Sequence, residues 1–265
     1  MKNEIKIALL ISTYNWPKAL NLVLESVFKQ SKLPHEIVIA DDGSLESTKE
    51  VIASFKQQSK IPIKHIWHED LGFRKSIILN KAILAVSADY IIQIDGDIIL
   101  HKHFIKDHIN SRQANTFLFG SRISLSKSKT QSILNQGNQT IHYFTKGLKK
   151  RNRLLRLPFY KYFTKRENKN SKKIRGCNIS YWKKDAMAIN GYNEAFVGWG
   201  YEDYEFIQRL VNNGVYGKRL KQVALQYHLY HKEAAKGDTT IGDKILTNII
   251  QNKICFIDNG IIKQD

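Results

Sequence analysis

The feature that most constrains this chain is the alternation, along its N-terminal third, of short apolar runs with helical patterns. Residues 6–11 form an apolar run that ends in Ser12-Thr13-Tyr14-Asn15. Pro17 suits a first helical turn, and Ala19, Leu20, Val23, Leu24, Val27 and Phe28 then recur at helical spacing. Residues 36–40 read as a second strand, closed by Asp41-Asp42-Gly43-Ser44. Ser44 or Ser47 is expected to cap the next helix, which runs to about Gln57. Residues 63–67 read as a third strand and 73–86 as a third helix. Residues 90–94 read as a fourth strand, which delivers Asp95-Gly96-Asp97. Such alternation with short connections predicts an α/β fold, a doubly wound, mostly parallel sheet flanked by helices. In these sheets ligands bind beyond the carboxyl ends of the strands. Asn15, Asp42, Asp70 and Asp97 all fall there, on separate loops of one expected site.

The alternation stops after Arg122. From residue 146 to 175 the charges are basic apart from Glu167, with Leu154, Leu155, Leu157, Phe159, Tyr160, Tyr162 and Phe163 interleaved. Core-like sequence resumes at Gly176-Cys177-Asn178-Ile179-Ser180. Residues 202–213 look helical up to Gly214, 223–227 look like a strand, and 239–256 are expected as a last helix. No internal repeat or low-complexity linker interrupts the chain. The expected organisation is one domain over residues 1–265, with a basic insertion at 146–175.

An apolar content of 42% supports a real core and excludes global disorder. Lys and Arg outnumber Asp and Glu by 42 to 24, a formal charge of +18. That excess says nothing about fold; it predicts attraction to nucleic acid, anionic lipid or phosphorylated substrates. Two cysteines, Cys177 and Cys255, make neither a disulfide framework nor a metal-binding spacing, which fits a reducing cytoplasm. The first residues lead straight into a strand-like run without a signal-peptide pattern. No run approaches the roughly 18 apolar residues needed to span a bilayer. The chain is therefore expected to lie on a membrane without crossing it.

Two carboxylate motifs carry the chemistry. Asp95-Gly96-Asp97 follows an apolar strand, where one or two carboxylates could hold the divalent cation that steadies a departing diphosphate. A polar turn is the plain alternative for that tripeptide. Gly198-Trp199-Gly200-Tyr201-Glu202-Asp203 places two acids at a helix start after a Gly/Trp loop. Asp203 suits a general base that takes the proton of an attacking hydroxyl. Glu202 could hold another acceptor hydroxyl, and Trp199 offers an apolar face to a sugar ring. A helix dipole would explain the acids, but not a Trp between two glycines. Asp42 could accept from a ribose hydroxyl or a base N–H. His228, after a strand, is taken as a further metal ligand, because imidazole suits a borderline metal such as Mn²⁺. For His231 the reading as an ordinary surface or core histidine is preferred. Arg74 could contact the diphosphate or the donor sugar, whereas Lys75 and Lys81 are read as a solvated basic face. The 146–175 segment suits an anionic membrane surface better than a loop, because its cations are mixed with Leu, Phe and Tyr.

These residues resemble bacterial family 2 glycosyltransferases of the GT-A fold over nearly the whole chain. The N-terminal match is Ser12-Thr13-Tyr14-Asn15, Asp41-Asp42-Gly43-Ser44 and Asp95-Gly96-Asp97, with Asp70-Leu71-Gly72-Phe73-Arg74 similar to a donor-side Asp-x-Gly-Phe-Arg motif. Asn178, Asn190-Gly191-Tyr192, Trp199-Gly200-Tyr201-Glu202-Asp203 and Tyr227-His228 resemble the region shared by β-1,4-galactosyltransferases and chondroitin-polymerase type enzymes. The resemblance implies an inverting, metal-dependent transfer from a UDP-sugar. It implies a nucleotide-sugar-binding half at 1–122 and an acceptor-binding, catalytic half at 176–265. It places Thr13, Tyr14, Asn15, Asp42, Asp70, Arg74, Asn80, Asp95 and Asn178 at the donor, and Trp199 and Glu202 at the acceptor. Asp97 and His228 become the ligands of Mn²⁺ or Mg²⁺, and Asp203 the base. Leu79 stands where many relatives carry Arg, and Cys177 where the chondroitin-polymerase type enzymes carry a second Gly, so the donor sugar stays unnamed.

The expectation is a cytoplasmic glycosyltransferase, peripheral at the inner face of the cell membrane. It would build a bacterial surface glycan such as lipopolysaccharide core, O-antigen or capsule, on a glycan or lipid-linked glycan acceptor. The rivals are a non-catalytic nucleotide-sugar or anionic-surface binding protein, which the paired carboxylates argue against, and a nucleic-acid binder. The last has no recognisable motif to support it, and no nucleic-acid partner is expected.

Overall fold

A computed structural model describes residues 4–137, 140–171, 173–196, 198, 200–232 and 239–263 of the 265-residue chain. The predicted alternation opens it. β1 (Ile7–Thr13), α1 (Pro17–Phe28), β2 (Glu36–Asp41), α2 (Glu46–Gln58), β3 (Ile63–Trp67), α3 (Lys75–Ala85) and β4 (Tyr90–Asp95) follow in order. Next come β5 (Ile98–Leu100), α4 (Phe104–Ser111), β6 (Thr116–Phe119), β7 (Ile123–Ser124) and α5 (Lys127–Gln136). β8 (Arg166–Glu167), β9 (Ile179–Trp182), α6 (Lys183–Ala188), α7 (Glu202–Asn212), β10 (Tyr216–Arg219), β11 (Gln226–His228) and α8 (Thr239–Gln251) complete the described elements.

The main sheet has the order β3-β2-β1-β4-β9-β6-β10-β8. β1 pairs in parallel with β2 and β4, β2 with β3, and β6 with β10. β9 runs antiparallel between β4 and β6, which leaves β6 pointing the same way as β1 and β4. Alternate side chains of each strand feed two apolar layers. Leu10, Val38, Ile91, Phe117 and Tyr181 pack with Ile78 and Leu79 of α3 and Phe206 and Leu210 of α7. Leu9, Ile37, Ile92 and Leu118 pack with Leu20 and Val23 of α1, Ile52 of α2 and Phe104 of α4. Burial on both faces explains why these strands read as unbroken apolar runs.

A second sheet, β5-β11-β7, sits beside the end of β4. β11 pairs antiparallel with β5, setting His228 opposite Ile98, and parallel with β7. Because β5 begins one residue after Asp97, this register fixes His228 beside that carboxylate.

Several local expectations are corrected. Neither Ser44 nor Ser47 caps α2. The residue before the helix is Leu45, with no side-chain cap, and the Ser44 hydroxyl instead accepts the Asn15 N–H at 2.8 Å. The strand expected at 223–227 is confined to Gln226–His228, because Gln222 and Ala224 adopt positive φ and break extension. The last helix ends at Gln251. The basic segment is tied into the fold: β8 pairs with β10, Leu148 bridges Leu125, and the Arg156 guanidinium grips Asp107 through both carboxylate oxygens. Among the described residues no helix is long and apolar enough to cross a membrane.

Candidate active site

The carboxyl ends of β1, β2 and β4 open into a cleft of about 960 Å³. Thr13, Tyr14, Asn15, Asp42, Asp95, Asp97 and His228 are among the residues that line it, so the loops that the strand pattern singled out do converge. The loops are cross-linked. The Asn15 side chain accepts from Leu45 N–H at 2.8 Å, joining the end of β1 to the start of α2. The Tyr14 hydroxyl donates to Asp70 at 2.8 Å, which holds the Asp70 carboxyl below its usual range. Asp42 meets His68 at 2.7 Å and accepts Arg74 N–H at 3.0 Å; burial nevertheless pushes its carboxyl up. The motif Asp70-Leu71-Gly72-Phe73-Arg74 therefore closes over Asp42 through backbone. The Arg74 guanidinium itself donates to the Glu69 carbonyl.

Asp95 and Asp97 diverge. Ser12 donates to Asp95 at 2.8 Å and the Lys75 ammonium lies 3.0 Å from the same oxygen. Burial opposes the ionised form of Asp95, but Lys75 and then Ser12 outweigh it and lower its pKa. Gly96 lets the chain turn here: a Cβ would stand 2.8 Å from the Thr13 hydroxyl. Asp97 turns the other way. Its Oδ2 lies 3.4 Å from His228 Nε2 and 3.1 Å from His231 Nε2, while its buried Oδ1 has no hydrogen-bond partner among the described residues. One carboxylate and two imidazoles with all ligand atoms within 4.8 Å of one another form a donor set for a borderline divalent cation, and the orphaned oxygen fits such a guest. Burial lowers the His228 pKa, while the Asp97 hydrogen bond lifts His231 to about 9, so a metal ion bound here would have to displace the His231 proton.

Asp203 and Glu202 open α7; neither is among the residues lining the cleft, and they are linked to it by the charge of Lys75, which does line it. Asp203 Oδ2 accepts the Gly176 N–H at 2.9 Å, and its buried Oδ1 is without a partner among the described residues. Only glycine fits at 176, since a Cβ there would meet Asp203 Oδ1 at 2.2 Å. Burial raises the Asp203 pKa against the pull of Lys75. Glu202 is pushed up to about 7 by burial and then by Asp203. Lys75 is the common neighbour: burial works against its charge, yet Asp95, Asp203 and Glu202 hold it well above the ordinary range.

Not every expected residue joins. Asn80 is buried away from the cleft, donating to the Tyr192 carbonyl at 2.8 Å and Glu194 at 2.9 Å and accepting Tyr192 N–H at 2.7 Å. Asn178 is equally committed: its amide donates to the Ser121 and Ala224 carbonyls and its oxygen faces His108. A carboxamide with every group paired inside the protein pins strands and loops together and cannot turn to a ligand. Trp199 lies outside the described residues. Lys75 and His231, read from sequence as solvated or ordinary, belong to the cleft, as do Arg122 and Lys149. Lys75 left one readable signal, since a lysine that opens a helix opposes the helix dipole. His231, Arg122 and Lys149 left none without the tertiary fold.

Residues 8–182 match the sequence profile of glycosyl transferase family 2. The chain belongs to this family. Residues 158–232 match a second profile, described as the N-terminal domain of galactosyltransferase. Chondroitin synthase of Escherichia coli is 24% identical over 94% of the chain, and chondroitin synthase of Pasteurella multocida (strain Pm70) is 24% identical over 97% of it. The chain spans only 38% and 28% of those two proteins. The structure of S. aureus TarS 1-349 in complex with UDP superimposes with a TM-score of 0.63 at 15% identity, covering 94% of this chain and 65% of that one. The fold is therefore the GT-A fold of family 2 glycosyltransferases.

Proposed function

We propose that this family 2 chain is an inverting, metal-dependent glycosyltransferase that moves a sugar from a UDP-sugar to a hydroxyl of a growing bacterial surface glycan. The observation that carries this reading is the pairing, across Lys75, of a carboxylate with one uncommitted buried oxygen and a two-histidine, one-carboxylate donor set. Mn²⁺ or Mg²⁺ bound by Asp97, His228 and His231 would neutralise the diphosphate that leaves.

The chain's own residues do the rest. Asp203 Oδ1 takes the proton of the acceptor hydroxyl as that oxygen bonds to the anomeric carbon, and the bond from that carbon to the UDP oxygen breaks. A single displacement on the face opposite UDP inverts the centre. Gly176 N–H fixes the other Asp203 oxygen, so the free one keeps its aim. Asp42 and Tyr14, the latter held by Asp70, line the part of the cleft where the uridine would bind, and Lys75 balances three carboxylates that would otherwise repel an anionic donor. That a UDP complex of TarS and the synthases of chondroitin are similar to this chain supports a UDP-sugar donor and a glycan acceptor.

The test is UDP release from a panel of UDP-sugars with Mn²⁺, with Mg²⁺ and with EDTA. Turnover of one donor that EDTA abolishes is expected. Asp203→Asn should bind UDP as before and lose transfer by about 10²- to 10⁴-fold, the usual worth of a general base. Full activity in that variant would refute the base assignment. UDP binding without turnover, for every donor and acceptor tried, would leave a binding protein instead.

A further inference from the structure

Apart from Lys149, which lines the cleft, the basic segment that sequence singled out has no role in the transfer chemistry proposed above. From Lys146 to Arg166 the chain has no acidic residue. Two short 3₁₀ turns, Arg151–Leu154 and Pro158–Tyr162, lie in it; Leu154 packs inward on the core, while several of the other apolar side chains point outward. Leu155 is 56% exposed, Phe159 54%, Tyr162 78% and Phe163 73%. Phe159, Tyr160 and Phe163 form one aromatic cluster with ring centroids 6.0–6.4 Å apart. The turns are not loose, because Leu157 N–H donates to the Gln222 carbonyl at 2.7 Å and Arg156 is clamped to Asp107.

Cations without counter-ions lie beside the rings. Lys218 of β10 is only 6% exposed and stands opposite Arg166 of β8 in the sheet register. Its ammonium has no carboxylate partner among the described residues. Burial and then Lys161 and Arg166 push its pKa down. Arg153 is in the same position, lowered by burial and then by Arg219. Such crowding costs free energy in the free protein and is relieved by an external anion.

We infer that this face, built from the 3₁₀ turns and the β8–β10 edge, docks on an anionic lipid bilayer. The order of the groups favours a bilayer over a polyanionic chain. More than half of each of Leu155, Phe159, Tyr162 and Phe163 stands clear of the protein, while Tyr160 is partly buried and Lys218 sits low. That arrangement carries rings into the headgroup boundary with the cations at phosphate level. A polysaccharide or nucleic acid would instead need its rings and charges along a groove. The face also adjoins the cleft: Arg153 donates to the Arg122 carbonyl at 3.0 Å, and Arg122 lines the cleft. If the transferase reading above holds, docking sets the cleft mouth beside the membrane, where a lipid-linked acceptor is held.

The experiment is flotation of the full chain with phosphatidylcholine vesicles, with and without phosphatidylglycerol, in the absence of donor and metal. Binding to the anionic vesicles alone, weakening with salt, is expected. The double variant Lys161→Gln/Lys165→Gln should partition about thirtyfold less, at roughly fivefold per cation near the surface. Phe159→Ser/Phe163→Ser should lose at least about tenfold while keeping the parent's circular dichroism. Vesicle binding equal in parent and both variants would overturn the docking face. So would a parent that ignores anionic vesicles but is retained on an acidic polysaccharide, which would make the face a glycan track. Neither measurement depends on turnover, so failure here leaves the transferase reading intact, and absence of turnover leaves the docking result intact.

Discussion

At the scale of single residues, the candidate site is a problem of charge held out of water. Asp95, Glu202 and Asp203 face one ammonium, Lys75, and burial resists ionisation of all three. Asp95 has the direct contact and stays ionised; Glu202 is left with a weak claim on Lys75 and keeps its proton into the neutral range. A linked stability effect follows from that division. The Glu202 carboxyl titrates at an ordinary value of 4.5 when unfolded and about 7 when folded, so between those values the native state holds the extra proton. Its stabilising contribution is complete below the unfolded value and is lost as pH rises through the folded one. Glu202→Gln should therefore gain on the parent by up to about 3 kcal/mol in urea unfolding between acid and about pH 8. A difference between the two proteins that does not change with pH would refute the assignment.

At the scale of elements, α7 matters because it presents both acids, and one buried side chain sets its position. Arg209 is fully buried on the inner face of α7. It pairs with Glu205 through two bonds of 2.7 and 2.9 Å and donates to the carbonyls of Ile189 and Gly191. The helix is thus bolted to the loop after α6. Arg209→Met should cost about 3–5 kcal/mol, chiefly because Glu205 is left charged and unpaired in the core. The double variant with Glu205→Leu should recover most of the loss, measured by urea unfolding. Equal losses in single and double variants would mean that the pair does not act as a unit.

Elements also divide what sequence could reveal from what it could not. β1 to β4 and their helices were readable because burial on both faces leaves unbroken apolar runs, and helix periodicity separates them. The strands β5, β7 and β8 are two or three residues long, too short for any period, and β9 enters antiparallel after a long excursion. Those are the elements that bring His228 and His231 to Asp97 and tie the basic segment to the sheet. Asn80 and Asn178 misled for a related reason. A motif preserves which residue stands at a position, but whether its amide faces a ligand or the interior depends on neighbours from distant segments.

For the molecule as a whole, the decisive arrangement is that the strand-borne residues of the candidate site lie at one end of the parallel strands. β1, β4, β6 and β10 share a direction, so Asp95 and Arg219 end strands at the same side of the sheet. The opposite end supplies core and turns. Binding energy delivered to the site's end is therefore passed to the whole cooperative fold, because α1, α3 and α7 all pack on the strands beneath it. A ligand that binds only the native state at about 100 times its Kd adds about 2.7 kcal/mol. For a chain of this length that corresponds to a rise in Tm of about 5 °C. UDP with Mn²⁺ should produce such a rise, and UDP with EDTA a much smaller one. His231→Ala should lose most of the metal-dependent part, measured against the variant's own Tm without ligand, because its only ion-pair partner is Asp97 among the described residues. An undiminished metal-dependent shift in His231→Ala would remove His231 from the donor set and leave Asp97 and His228 alone. A shift that ignores EDTA in the parent would refute the metal site itself, because the diphosphate would then be held by the protein's own cations.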